Sequence, residues 1–196
     1  MTDMAEVSAL TVRKLTEADW AALRATRLAA LADAPYAFAS TLAREQGFTE
    51  QVWRDRLGTS AAAAYYGADA PGAGNGGAPA ALAGLAALLR PGPASGLAAW
   101  HLVSMWVSPP ARGLGLADRL ITAVCEQARA ERAAEIGLWV TLGNDRARAF
   151  YRRCGFQATG EQMLVRPEEP GLWEERMVRS LSAGSDGRGA ANRSGS

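Results

Sequence analysis

The stretch Val107-Ser108-Pro109-Pro110-Ala111-Arg112-Gly113-Leu114-Gly115-Leu116-Ala117 constrains this chain more than any other. It follows an apolar, strand-like run from Leu102 to Val107 and opens a long amphipathic helical pattern. Glycines at such a junction remove side chains just where a helix presents its unpaired backbone N–H groups. Those groups and the positive end of the helix dipole form a ready site for a phosphate or pyrophosphate. The junction therefore points to a phosphorylated cofactor.

Two nucleotide-binding patterns fit it poorly. A Rossmann turn reads G-x-G-x-x-G. Here Asp118 stands at the third small position, placing a charge where close helix–strand packing is needed. The Pro109-Pro110 pair lengthens the turn, and the strand lies late in the chain instead of opening a βαβ repeat. A Walker loop needs G-x-x-x-x-G-K-[ST], but Lys14 is the only lysine.

Arg112-x-x-Gly115-x-Ala117 is similar to the pyrophosphate-binding pattern [QR]-x-x-G-x-[GA] of the GNAT acetyltransferase superfamily. After one predicted helix and one strand comes Asn144-Asp145-Arg146-Ala147-Arg148-Ala149-Phe150-Tyr151-Arg152-Arg153-Cys154-Gly155-Phe156. This block resembles the family's N-x-x-A-x-x-F-Y-x-x-x-G-F segment. The resemblance runs in order and spacing over residues 10–181, more loosely before Ala80. It implies an α/β, GNAT-type acyl-CoA N-acyltransferase fold, with a mixed, mostly antiparallel sheet of about six to seven strands flanked by about four helices. It also implies acetyl-CoA as cofactor, CoA as product, and an N-acetyltransferase moving an acetyl group to a primary amine by direct attack in a ternary complex.

Composition agrees with those expectations. A chain of 196 residues with 48% hydrophobic content can bury one full core, so residues 1–181 read as a single domain. A net charge of +1 gives no electrostatic case for nucleic acid or an acidic membrane. No apolar run approaches the length of a spanning helix, and the N-terminus, with Asp3 and Glu6, lacks a signal-peptide pattern. A cytoplasmic protein is expected. Cys125 and Cys154 lack metal-ligand spacing and His101 is the sole histidine, so reduced thiols and no metal site are expected.

Patterning places a first strand over residues 10–15. Trp20, Leu23, Leu28 and Leu31 mark a helix over residues 17–32, with Thr16 as N-cap and Asp33-Ala34-Pro35 as its stop. A second helix reads over residues 49–57, and strands over 61–66 and 80–89, joined by a mobile Gly/Ala/Pro/Asn stretch over 67–79. The central strand covers residues 97–107 and the cofactor helix 113–132. A strand over 136–142, a helix over 145–153 and strands over 156–165 and 173–179 close the pattern. The Gly/Ser/Ala/Arg tail over residues 182–196 reads as disordered.

By the resemblance, backbone N–H groups of Arg112, Gly113, Leu114, Gly115, Leu116 and Ala117 grip the pyrophosphate, and Arg112 adds charge. The family's central strand splays from its neighbour. Met105 and Val107 would there offer backbone groups to the pantetheine arm, and the Val107 N–H would polarise the thioester oxygen. Tyr151 shares an apolar helical stripe with Ala147, Phe150 and Cys154. It reads either as an amphipathic core tyrosine or as the acid that protonates the leaving thiolate, a role suited to a phenol of pKa about 10. Asn144 is a natural N-cap and, by the resemblance, a ligand of the pantetheine amide. Arg146, Arg148, Arg152 and Arg153 form a solvated face or supply a contact to a CoA phosphate.

His101 is the candidate base, with an ordinary pKa of about 6.5. Strand parity puts it on the face of Met105 and Val107, six residues before Val107, where some histone acetyltransferases carry a glutamate base. A half-buried structural histidine is the competing reading, and Glu45, Glu50 or a water are rival bases. Acceptor specificity is expected from residues 35–53 and 163–173. Tyr36, Phe38, Phe48 and Trp53 suggest an apolar wall there, and Glu45, Glu50, Glu168, Glu169, Glu174 and Glu175 could attract a cationic amine. The acceptor is an amine-bearing small molecule, peptide or protein, and the pattern leaves room for a homodimer. The alternatives are a non-catalytic acyl-CoA-binding module and an acyltransferase for longer acyl-CoAs, with a Rossmann protein a distant third.

Overall fold

The computed structural model describes residues 10–58, 62–70 and 81–182. The expected disordered tail beyond Ser182, and residues 71–79 of the expected mobile stretch, lie outside the described residues. Among the described residues, seven strands form one sheet in the order β1-β2-β3-β4-β5-β7-β6. They are β1 (Val12–Lys14), β2 (Ala63–Asp69), β3 (Leu82–Leu89), β4 (His101–Val107), β5 (Glu135–Thr141), β6 (Gln157–Leu164) and β7 (Trp173–Ser180). Every neighbouring pair is antiparallel except β4–β5. Parallel neighbours need a crossover connection, which a long helix provides here.

Among the described residues, five α-helices flank the sheet: α1 (Trp20–Asp33), α2 (Leu42–Gln46), α3 (Glu50–Asp55), α4 (Leu116–Ala130) and α5 (Asp145–Arg153). Helix α4 is that crossover. It buries Leu116, Leu120, Ile121, Val124, Cys125 and Ala128, a helical-period stripe, against one face of the sheet. Gly84 of β3 lets it approach, since a Cβ there would lie 3.0 Å from the Leu116 and Leu120 side chains. Helix α5 packs on the same face through Ala147, Phe150, Tyr151 and Cys154. The opposite face carries α1 to α3, with Leu23, Trp53, Tyr65, Leu82 and Leu85 at its centre. No helix among the described residues is long and apolar enough to cross a membrane.

Several boundaries differ from the sequence expectation for local reasons. Gly67, Ala68 and Asp69 do not begin a loop. They continue β2, pairing with β3 and, for Gly67 and Ala68, with Arg13 and Val12 of β1. The central strand starts at His101 because residues 92–97 form a bridged turn, in which the Ser95 hydroxyl donates to the Arg90 carbonyl at 2.5 Å. Helix α2, capped by the Thr41 hydroxyl, has too few residues to show a period.

One irregularity matters for the site. Along the β3–β4 pairing, Leu85 faces Trp106 but Ala87 faces Val103, so Ser104 and Met105 together oppose Ala86. Ser104 has φ 56°, the left-handed conformation of a bulged residue. The extra residue inverts the alternation of faces. Leu102, Met105 and Val107 join the α4–α5 side, whereas Val103 and Trp106 join the α1 side. His101 therefore lies on the opposite face from Met105 and Val107, correcting the parity expected from an unbroken strand.

Candidate active site

Strands β4 and β5 share a single register pair, His101 with Gly137, strengthened by a 2.8 Å hydrogen bond from the Gly137 N–H to the Trp100 carbonyl. Beyond it they part. On its other side β4 stays paired to β3, and the Ser108 N–H donates to the Ala83 carbonyl at 2.9 Å. In an antiparallel ladder hydrogen-bonding direction alternates, so Trp106 turns its backbone to β3. Met105 and Val107 turn theirs to the opening.

The chain leaves β4 through Pro109–Ala111 and reaches α4 over two left-handed glycines, Gly113 (φ 84°) and Gly115 (φ 73°). An ideal Cβ at either meets nothing within 4 Å. Gly115 is the N-cap and has no side chain to cover the first helical turn. The N–H groups of Leu116, Ala117 and Asp118 are thus left open to an anion at the positive end of the helix. Arg112 behaves differently from expectation. Its Nε donates to the Val107 carbonyl at 3.0 Å and its Nη2 pairs with Asp33. The same Asp33 oxygen accepts from the Trp106 indole at 2.9 Å. The Trp106 hydrogen bond and the Arg112 guanidinium outweigh burial and hold the Asp33 carboxyl below its ordinary range. Arg112 thus clasps the junction to the end of α1, its charge already paired.

Two lobes meet at the parted strands. The first, about 760 Å³, is lined by Met105, Val107, Arg112, Gly113, Gly115, Leu116, Ala117 and the α5 residues Arg146, Phe150 and Arg153. Leu114 does not line it and packs against the core instead. Arg148 is turned away, its Nη2 bonded to Glu175 at 2.8 Å. Among the described residues neither Arg146 nor Arg153 forms an ion pair, though Arg153 lies over the Phe150 ring at 5.7 Å. The second lobe, about 490 Å³, opens on the other side between α1, α2, β4, β5 and β7.

Tyr151, Asn144, Ala147, Phe38, Ala37 and Met105 line both lobes. Tyr151 stands between Phe150 and Phe156, with ring centroids at 5.5 and 5.9 Å. Burial, with a smaller contribution from Cys154, pushes its phenol well above the ordinary value. Its hydroxyl has no hydrogen-bond partner among the described residues. Asn144 caps α5, its Oδ1 accepting from the Ala147 N–H at 3.2 Å. That leaves its Nδ2 for the cleft, so the cap and a ligand contact use different atoms.

The expected bases fare unequally. His101 lines neither lobe; it is 8% exposed, with Nδ1 3.0 Å from the Ala99 carbonyl. Glu50 is exposed and paired with Arg54 at 2.7 Å. Glu45 lines the second lobe but is 1% exposed and held by Arg27 and Arg56. Burial would raise its pKa, yet Arg27 and Arg56 prevail and keep it an anion. Glu174 is the residue that sequence reasoning did not separate from its neighbours. Set on β7 opposite Thr141, it lines the second lobe with Tyr151, and burial pushes its carboxyl up to about 7. Its carboxylate makes no hydrogen bond or ion pair among the described residues. Of the expected aromatic wall, Phe38 and Phe48 line this lobe, Tyr36 lines the first, and Trp53 is fully buried core.

A family model described as the acetyltransferase (GNAT) family matches residues 32–156. No curated protein matches the sequence significantly. A GCN5-related N-acetyltransferase from Kribbella flavida is 22% identical, with 88% of this chain and 98% of that one covered and a TM-score of 0.64. The PaiA N-acetyltransferase of Thermoplasma acidophilum, in complex with coenzyme A, is 14% identical over 87% of this chain and 98% of that one, at a TM-score of 0.60. The ribosomal-protein-S18-alanine N-acetyltransferase of Escherichia coli is 16% identical over 90% and 97%, also at 0.60. These structures share the fold, and the family match spans the glycine junction, α4 and the segment from Asn144 to Phe156. The chain belongs to the GNAT acetyltransferase family.

Proposed function

We propose that this protein, a single domain over residues 1–181, transfers the acetyl group of acetyl-CoA to a primary amine by direct attack in a ternary complex in the cytoplasm. The observation that carries the reading is the meeting of two lobes at the parted β4–β5 edge, with Tyr151 lining both. Two separate approaches to one point suit two substrates held together.

The residues present fit the cofactor. A loop whose two glycines leave its backbone bare before a 15-residue helix suits a pyrophosphate, and Arg146 and Arg153 suit a further phosphate. The Val107 carbonyl is taken by Arg112 Nε, but the edge at Met105 and the Val107 N–H suits an extended, amide-bearing arm, and Asn144 Nδ2 can donate to one of its carbonyls. The volume falls in the usual range for ligand sites. When bound, acetyl-CoA supplies a thioester whose acyl carbon bonds to the amine nitrogen as its C–S bond breaks.

Val107 donates its N–H to the acyl oxygen as negative charge develops there. Tyr151 gives its proton to the departing sulfur, and a phenol is protonated throughout the neutral range. Glu174 takes the proton the nitrogen loses, and its pKa of about 7 suits a base working near neutrality. His101 is set aside as the base because it lines neither lobe. Solvent then returns a proton to Tyr151 and removes one from Glu174.

Thermal unfolding with and without acetyl-CoA, followed by thiol release with a panel of primary amines, tests the reading. Ligand at 100-fold over Kd adds about 2.7 kcal/mol to stability, and release of CoA should depend on the amine. A folded protein showing neither response refutes the proposal. A melting shift without turnover of any amine would mark a binding module instead.

A further inference from the structure

We infer that the amine accepted here also carries an anionic group, a carboxylate or a phosphate, held by guanidinium groups of the second lobe. The inference rests on the N-acetyltransferase reading above. Arg27, Arg44 and Arg56 line this lobe, against the acids Glu45 and Glu174. Glu45 is already committed. It accepts from Arg27 Nε at 3.2 Å to both oxygens, from Arg27 Nη2 at 3.0 Å and from Arg56 Nη1 at 3.1 Å. Two guanidinium groups against one carboxylate leave one positive charge, and Arg44 adds a second. Glu174, even as an anion, cancels only one of the two.

The cations are also preset. Arg56 lies over the Phe48 and Trp53 rings at 5.0 and 4.7 Å, so its plane is fixed, with Nε and Nη2 uncommitted among the described residues. Arg27 is 7% exposed, stacks on Phe38 at 4.5 Å, and keeps a buried Nη1 with no hydrogen-bond partner among the described residues. The Arg44 guanidinium, on the exposed side of α2, has no ion-pair partner among the described residues. Unspent donors of this kind match a carboxylate or phosphate. The amine end of the same molecule belongs with Glu174 and Tyr151, which enter from β7 and α5. A polyamine would bring cations into a lobe that already holds surplus positive charge.

The test compares matched acceptors with acetyl-CoA: 4-aminobutyrate against butylamine, phenylalanine against phenethylamine, and O-phosphoethanolamine against ethanolamine, with spermidine as a polyamine. At least one anionic member should exceed its plain partner about tenfold or more in kcat/KM, as expected for charge-assisted hydrogen bonds. The carboxylate and phosphate arms show which anion is taken. Arg44→Gln should collapse that preference through KM, with the acetyl-CoA melting shift retained. Equal or better use of plain amines or spermidine overturns the inference. So does failure to bind or turn over any anionic member while acetyl-CoA still shifts the melting temperature. Loss of the melting shift itself, in folded wild-type protein, overturns the underlying N-acetyltransferase reading as well.

Discussion

Gly115 is where the cofactor assignment can be broken most cleanly. Its φ of 73° is left-handed and a Cβ there meets nothing within 4 Å, so a side chain causes no clash inside the protein. The folding cost is conformational only, about 1–2 kcal/mol for an ordinary L residue and less for asparagine, which tolerates this region. At roughly 2–4 °C per kcal/mol for a domain of this size, Gly115→Val should melt roughly 2–8 °C lower and Gly115→Asn less. Both variants project atoms in front of the N–H groups of Leu116, Ala117 and Asp118. Losing two such charge-assisted bonds, each worth about 1.5–3 kcal/mol, weakens acetyl-CoA binding about 100-fold or more. The assay is melting temperature with acetyl-CoA at 100 times the wild-type Kd. The wild type gains about 2.7 kcal/mol, or roughly 5–11 °C. A variant weakened 100-fold gains only about 0.4 kcal/mol, or roughly 1–2 °C. Gly115→Asn that folds and keeps the full shift would refute the backbone cradle as the pyrophosphate site.

Tyr151→Phe should lower kcat by about 10²–10⁴ with the acetyl-CoA melting shift intact; steady-state kinetics showing full turnover would end its role as acid. For Glu174, wild-type kcat/KM should rise with pH through an apparent pKa near 7, whereas Glu174→Gln is slower and flat. The carboxyl also leaves a stability signature. Its folded pKa lies above its unfolded one, so its stabilisation is complete below the unfolded pKa and is lost as pH rises towards and through about 7. Glu174→Gln should therefore melt higher than wild type at pH 8 and alike at pH 4, a comparison calorimetry makes directly. Glu45→Gln strips the buried Arg27 of its partner and should cost about 3–5 kcal/mol in urea unfolding; a change under 1 kcal/mol would show that the pair is solvated.

Much of this was legible along the chain. The glycine junction and the Asn144–Phe156 block are local patterns, so α4, α5, the N-cap at Asn144 and the stripe through Tyr151 could be read directly. The end of α1 at Asp33-Ala34-Pro35 was equally plain, because proline acts on its immediate neighbour. The bulge at Ser104 carried no such sign. Serine is not a usual left-handed residue, and only pairing with β3 shows that Ser104 and Met105 share one partner. That single residue moved His101 to the wrong face for the role expected of it. Glu174 was hidden for a related reason: among the neighbouring acids, Glu175 meets Arg148 from α5 and Glu169 meets Arg166. Glu174 instead stands between Thr141 and Met163 in the sheet, neither of which carries a charge.

The sequence by itself determined the strand–glycine–helix junction and the order of elements, because turn chemistry, capping and hydrophobic period act between residues close in the chain. Tertiary structure decided which charges are free. Arg112 is spent on Asp33, Glu45 on Arg27 and Arg56, and Arg148 on Glu175. Arg44 and Glu174 are left facing the lobe. Coulomb attraction and burial depend on distance in space, and those distances exist only once the sheet has brought β4, β5 and β7 together.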